Sequence, residues 1–237
     1  MKKWLLFSII YLSLLSCMKK DNQTVAAPAN PADTADTVHR SYLALGDSYT
    51  IGQSVAENER FPLQTAALLR QESIDISTPD IIAVTGWTTG DLLNALSANP
   101  PVKTYSFVSL LIGVNNQHQG RTLDEYKTQF SELLKRAIAY AGNNQGHVFV
   151  LSIPDYSVTS YARGSDTAMI AREIDAFNEA NKNISLTAGT HYIDITTISR
   201  QAKNDPSMTA IDGLHPSGAQ YKKWSNLLTS LMLQELH

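Results

Sequence analysis

A three-layer α/β/α domain on a central parallel sheet of about five strands is the fold this sequence predicts over residues 39–237. Three observations predict it. Short, nearly continuous apolar runs recur along the chain, as strands buried on both faces do. Each run is followed by a stretch with helical apolar spacing, the alternation that builds βαβ units. Several runs stop at Gly or Pro, residues that punctuate strands. The chain has 237 residues, 43% apolar and 17% charged, which suits one sizeable core and excludes a disordered chain. Its formal charge of −3 gives no basic footprint for nucleic acid.

The elements follow in order. Ser41 to Leu45 reads as the first strand, ending at Gly46. Phe61 to Glu72 reads as a helix with Leu63, Ala66 and Ala67 on its apolar side and Pro62 in the first turn, where the missing N–H is harmless. Ile81 to Val84 is a second buried strand, followed by Thr85-Gly86 and a short helix from Gly90 to Leu96. Tyr105 to Ile112 is the longest apolar run and ends at Gly113. Thr122 to Tyr140 is an amphipathic helix whose Thr122 and Glu125 have capping-box spacing. His147 to Ile153 is a fourth strand, stopped by Pro154. Asp166 to Leu186 is a long helix with Ile170, Ile174, Phe177 and Ala180 along one face. His191 to Ile195 is a fifth strand, and Ser217 to Leu236 closes the chain as a helix. There is no internal repeat.

The first 38 residues read differently. Lys2-Lys3, an apolar run from Trp4 to Leu15 and the small Ser16 have the layout of a signal peptide. The run is shorter than the ~20 residues of a membrane-spanning helix. Cys17, the single cysteine, follows Leu14-Leu15-Ser16, which resembles the lipobox of bacterial lipoproteins, with Leu15 bulkier than usual there. That resemblance implies removal of residues 1–16, a lipid on Cys17 and export to the bacterial cell envelope, at the outer membrane or cell surface. A plain secreted protein with an unused cysteine is the simpler alternative. Loss of Lys2 and Lys3 takes the formal charge from −3 to −5. Residues 17–38, with Pro28 and Pro31 and few large apolar side chains, read as a flexible tether of roughly 25 Å reach. One cysteine excludes an intramolecular disulfide and a thiolate-rich metal site. His39, His147, His191 and His237 have no metal-ligand spacing.

In open α/β sheets ligands bind beyond the carboxyl ends of the strands. Gly46-Asp47-Ser48-Tyr49, Gly86-Trp87-Thr88 and Gly113-Val114-Asn115-Asn116 follow the first three strands, and Asp212-Gly213-Leu214-His215 precedes the last helix. A serine hydroxyl is a weak nucleophile until a base takes its proton, and imidazole titrates in the right range. Asp212 lies three residues before His215, within reach of the imidazole Nδ1–H, where it would set the tautomer. An oxyanion needs donors, which the N–H groups of Ser48 and Gly86 and the Asn115 amide supply. Singly, Gly86 reads as a turn, Asn115 as a cap and Asp212-Gly213 as a turn beside a surface histidine. Their joint placement at strand ends favours chemistry. Thr50 occupies the last position of a Gly-x-Ser-x-Gly elbow, which sets the α/β-hydrolase pattern aside. Trp87 reads as a core residue or a wall of an acyl or sugar pocket, and His118 and Gln119 as solvated or touching substrate. Pro154-Asp155-Tyr156 reads first as a solvated loop and second as a cleft wall through Tyr156.

Ser48, Gly86, Asn115 and His215, in this order and with Asp212 completing Asp-x-x-His, resemble the GDSL or SGNH hydrolase family. The resemblance spans nearly the whole body. It implies a flavodoxin-like three-layer fold and ester hydrolysis through an acyl-serine, without metal. No cofactor is expected, and the protein is expected to be a monomer. Ser48, Asp212 and His215 are then catalytic, and Ser48, Gly86 and Asn115 form the oxyanion hole. Tyr49 stands in place of the leucine of the name motif, and Asn116 where an aspartate often follows the asparagine. Short acyl esters, O-acetylated carbohydrates and lysophospholipids all suit the family. Acyl transfer with the same triad, and a non-catalytic glycan- or lipid-binding lipoprotein on this scaffold, are the rival readings.

Overall fold

The computed structural model describes Met1 and residues 38–236. The chain divides into two units, Met1–Thr34 and Ala35–His237. Apart from Met1 the first unit lies outside the described residues, and so do Cys17, the leader and the expected tether up to residue 37.

Five strands, β1 (Tyr42–Gly46), β2 (Asp80–Ala83), β3 (Phe107–Leu111), β4 (Val148–Leu151) and β5 (His191–Ile193), form one parallel sheet in the order β2-β1-β3-β4-β5. The helices are α1 (Ser48–Ile51), α2 (Phe61–Gln71), α3 (Thr89–Ala98), α4 (Val114–His118), α5 (Leu123–Tyr140), α6 (Thr167–Thr187), α7 (Thr196–Ser199) and α8 (Gly218–Gln234). α2 packs against α8, while α3, α5 and α6 pack in a row. That division follows from the chain's reversal of direction after β2, because right-handed crossovers then change face. The same reversal makes β1 and β3 neighbours, with Gly46 paired to Leu111 at their carboxyl ends. The chain leaves these two strands in different directions, which opens a crevice there.

Burial explains why the expected strands form. β1, β3 and β4 are buried along their whole length, so their apolar runs are continuous. Phe61, Tyr221 and Trp224 interlock between α2 and α8, with ring centroids 5.0–6.2 Å apart. Tyr126 and Phe177 do the same between α5 and α6 at 4.7 Å. Each such side chain contributes about 1.5–3 kcal/mol by leaving water.

Three details differ from the sequence reading. β2 is an edge strand whose Ile81 and Ile82 are half-buried and whose expected last residue, Val84, is exposed. Ile112 and Ile153 are buried but lie past the ends of β3 and β4, so those apolar runs overshoot their strands. At α5 the Thr122 hydroxyl accepts from the Glu125 N–H, but the Glu125 carboxylate is turned to Gln129 instead of closing a box. A full capping box forms at α3, where Thr88 and Asp91 exchange side-chain and backbone bonds. Among the described residues no helix is long and apolar enough to cross a membrane.

Candidate active site

The expected residues meet in the crevice at the carboxyl ends of β1 and β3. Asp47 ends the turn after β1 and caps α1 by accepting from the Tyr49 N–H at 3.0 Å. Ser48, the first residue of α1, is 4% exposed. Its Oγ lies 2.9 Å from His215 Nε2. His215 Nδ1 lies 2.6 Å from Asp212 Oδ2, so the carboxylate holds that proton on Nδ1 and leaves Nε2 to accept from Ser48. These distances are those of a nucleophile, its base and the base's orienting group.

Local structure holds the acid and base in place. Asp212 Oδ1 accepts from the backbone N–H groups of Leu214 and His215, both at 2.9 Å, which folds the motif into a tight turn. Gly213 in that turn has φ +72°, a conformation glycine adopts without steric cost, and a Cβ there would crowd the Ser160 hydroxyl. The His215 carbonyl accepts from the Ala210 N–H at 2.7 Å and pins the far side of the loop. Tyr49 packs its ring 5.0 Å from the imidazole, so the departure from leucine falls on the catalytic base itself. Burial pushes the Asp212 carboxyl up, but hydrogen bonds from Ser54, His215 and the Leu214 and His215 backbone outweigh it and hold it down at about 2. Asp47 goes the other way, since its burial outweighs the hydrogen bonds it accepts and raises it to about 7.

The oxyanion donors face the same space. Gly86 adopts φ +84° in the loop after β2, with open space where a Cβ would stand. Among the described residues neither the Ser48 N–H nor the Gly86 N–H has a hydrogen-bond partner, and both residues line the cleft. Asn115 spends one amide proton on the Trp87 carbonyl at 3.0 Å, which orients the group, and its second proton has no partner among the described residues. Asn115→Ala is expected to lower kcat on the order of 10²–10³-fold with little change in KM, measured by steady-state ester hydrolysis. A loss of only a few-fold would remove the amide from that role.

The cleft has a volume of about 230 Å³ and is lined in part by Gln53, Thr85, Val114 and Leu214. His118, Tyr156 and Tyr161 form one wall, with His118 edge-on to Tyr156 at 5.8 Å. The Pro154-Asp155-Tyr156 segment is buried, against the solvated loop expected there. Asp155 caps the turn after it and pairs with Arg200 at 2.8 Å, and the Tyr156 hydroxyl donates to Gln117 Oε1 at 2.9 Å. Trp87 is not among the lining residues; its side chain packs against the core. Gln119 reaches the Gly86 carbonyl at 3.3 Å.

Tyr161 is a cleft residue that the sequence alone does not single out, and Asn116, noted there only as a departure from aspartate, has a structural task. Asn116 is fully buried, accepts from the Thr89 N–H and donates to the Thr89 hydroxyl, tying α4 to the start of α3. An amide can do both, whereas an aspartate in its place could only accept. A larger groove of about 640 Å³ between α5 and α6 holds none of these groups. Among the described residues no group of three or more His, Cys, Asp or Glu is placed to hold a metal ion.

A family model, GDSL-like lipase/acylhydrolase, matches residues 44–223. The chain belongs to the GDSL-like lipase/acylhydrolase family. The match runs from β1 into α8 and so takes in Ser48, Gly86, Asn115, Asp212 and His215. Solved structures of the same fold include TesA, 17% identical with a TM-score of 0.64 over 81% of this chain and 98% of that one. An acetylxylan esterase from Geobacillus stearothermophilus is 18% identical, with a TM-score of 0.64 over 81% and 94% of the two chains. A phospholipase A1 from Streptomyces albidoflavus NA297 is 19% identical, with a TM-score of 0.60 over 81% and 99%. At these identities the likeness is one of fold. No curated protein matches the chain in sequence. This GDSL-family chain therefore has the single parallel five-stranded sheet expected of it and an ester hydrolase's family membership.

Proposed function

We propose that this GDSL-family protein is a serine ester hydrolase that releases short acyl groups through an acyl-serine intermediate. The observation that carries the reading is the continuous relay from Ser48 Oγ to His215 Nε2 and from His215 Nδ1 to Asp212 Oδ2. Ser48 Oγ attacks the ester carbonyl carbon while its proton passes to His215 Nε2. The carbonyl oxygen becomes an oxyanion facing the Ser48 and Gly86 N–H groups and the Asn115 amide. Collapse breaks the bond to the leaving alkoxide, which takes the proton from His215. Water then gives a proton to the same nitrogen, attacks the acyl-serine and releases the acid, returning Ser48 to its hydroxyl form.

The cleft supports the short acyl group. Its volume of about 230 Å³ falls below the ~300–1,000 Å³ of pockets that enclose a drug-sized ligand. Gln53, Thr85, His118 and the three tyrosines Tyr49, Tyr156 and Tyr161 give it hydrogen-bonding groups for a hydroxyl-rich alcohol portion, beside the apolar Val114 and Leu214. The acetylxylan esterase among the neighbours is consistent with such a substrate. A series of nitrophenyl esters from acetyl to dodecanoyl, run beside acetylated polysaccharide, tests this. kcat/KM is expected to fall steeply beyond butyryl; a maximum at long chains would overturn the short-acyl assignment and favour a lysolipid substrate.

The enzyme's place is proposed from its sequence alone: an envelope lipoprotein held by a lipid on Cys17 and a tether to residue 38. Replacing Cys17→Ala is expected to move the protein from the membrane fraction to the soluble exported fraction. Unchanged fractionation, with residues 1–16 still attached by mass spectrometry, would sink this reading.

A further inference from the structure

Beyond the triad, a fourth side chain reaches the acid. Ser54 Oγ donates to Asp212 Oδ2 at 2.7 Å, the same oxygen that accepts from His215. The two residues are 158 positions apart, so no local turn brings them together. Ser54 also has φ +67°, a left-handed backbone that a non-glycine residue adopts at a cost. Such strain is held by the surrounding structure. Gln53 N–H bonds back to the Ser48 carbonyl at 3.1 Å, and the Gln53 side chain accepts from Thr85 Oγ1 at 2.6 Å. The loop that leaves the nucleophile's own helix is thus folded back to place one hydroxyl against the acid of the relay.

We infer that Ser54 is a positioning residue for the hydrolysis proposed above, extending the relay to Ser48–His215–Asp212–Ser54 and holding the Asp212 carboxylate in the orientation His215 needs. The inference rests on that reading of function. Two donors on one oxygen fix the carboxylate's rotation about its Cβ–Cγ bond, while Oδ1 is occupied by the two backbone N–H groups. With Ser54 removed, the imidazole is the one protein donor left on Oδ2 among the described residues, and the charge that Ser54 dispersed bears more fully on it. The other ionisable groups sharing this neighbourhood are Asp47 and Tyr49 beside the nucleophile, Asp155 and Tyr156 after β4, and Arg60 and Tyr221 behind α1.

Two substitutions separate positioning from backbone structure, because they act on strain and hydroxyl in opposite directions. Ser54→Gly relieves the left-handed strain but removes the donor. Ser54→Thr keeps the hydroxyl but adds a branched side chain where φ is positive. If Ser54 positions Asp212, Ser54→Gly lowers kcat about tenfold with KM nearly constant, the loss of one hydrogen bond to a charged group. The acid limb of its kcat/KM–pH profile moves to higher pH. Its melting temperature stays within about 4 °C of the parent. Ser54→Thr melts lower yet recovers most of the lost kcat. If the residue serves only the backbone, the order reverses: Ser54→Gly matches the parent in rate and pH profile, and Ser54→Thr is the impaired variant. That reversal overturns the inference. The low-field proton NMR resonance of His215 Nδ1–H reads the same contact with no ester present and is expected to shift in Ser54→Gly but not in Ser54→Thr. An immobile resonance in both variants also overturns it, whereas an inactive parent with a moving resonance overturns the esterase reading alone.

Discussion

Ser48→Ala is expected to lower ester turnover by roughly 10⁴–10⁶-fold and to leave the fold intact. Among the described cleft-lining residues, the Ser48 hydroxyl is the group within hydrogen-bond distance of the imidazole, and Gly86 lines the same cleft. No carboxylate or thiol among the cleft-lining residues could replace it as nucleophile. Structurally the change is small. Ser48 Oγ bonds to His215 alone, so its loss is worth about 1 kcal/mol, or ~2–4 °C in melting temperature for a body of this size. Loss of activity with a parental melt therefore isolates the chemistry, and a fluorophosphonate probe that labels the parent should leave the variant untouched. Substantial turnover by Ser48→Ala would place the nucleophile elsewhere. Tight binding of a glycan by a parent that neither turns over esters nor takes the probe would instead favour a binding protein on this scaffold.

The elements legible in the sequence are those whose physics leaves a local trace. Strands buried on both faces must be continuously apolar, so β1, β3 and β4 were readable, and α6 showed Ile170, Ile174, Phe177 and Ala180 on one face, all buried. α1 and α4 span only four and five residues, too few for a helical period, and both went unread. β2 was read as buried because its isoleucines are apolar, but an edge position depends on strand order, which no local window contains.

The site divides the same way. The acid and base sit three residues apart because the Asp212 turn bonds its own following N–H groups, so spacing alone suggests the pair. Ser54 leaves no such trace. Its contact spans 158 residues and its value lies in a positive φ that composition does not reveal. The solvated-loop reading of Pro154-Asp155-Tyr156 fails for a related reason: such a stretch after a strand looks solvated, yet Asp155 is buried where it pairs with Arg200, and Tyr156 lines the cleft.

Asp212→Asn tests whether the acid works by charge and orientation together or by shape. The amide matches the carboxylate in size, and its oxygen can keep accepting from Leu214 N–H and His215 N–H, so the turn survives. Its nitrogen then occupies the Oδ2 position and presents a donor to His215 Nδ1. The imidazole answers by carrying its proton on Nε2, where Ser48 needs an acceptor. kcat is expected to fall on the order of 10⁴-fold with KM changed only a few-fold. Stability gives an independent reading of the same group. Because Asp212 is held at about 2 in the fold, below the ~3.8–3.9 of an unfolded aspartate, its charged form stabilises the protein above pH ~4, and this contribution disappears as pH falls toward 2. The melting temperatures of parent and Asp212→Asn should therefore differ most above pH 4 and converge as the pH approaches 2. A variant that melts lower in this pH-dependent way yet retains a tenth or more of the parental kcat would show that the backbone of the loop alone aims the imidazole. Ser48 and His215 would then suffice as a dyad, and the two donors gathered on Asp212 Oδ2 would serve stability instead of catalysis.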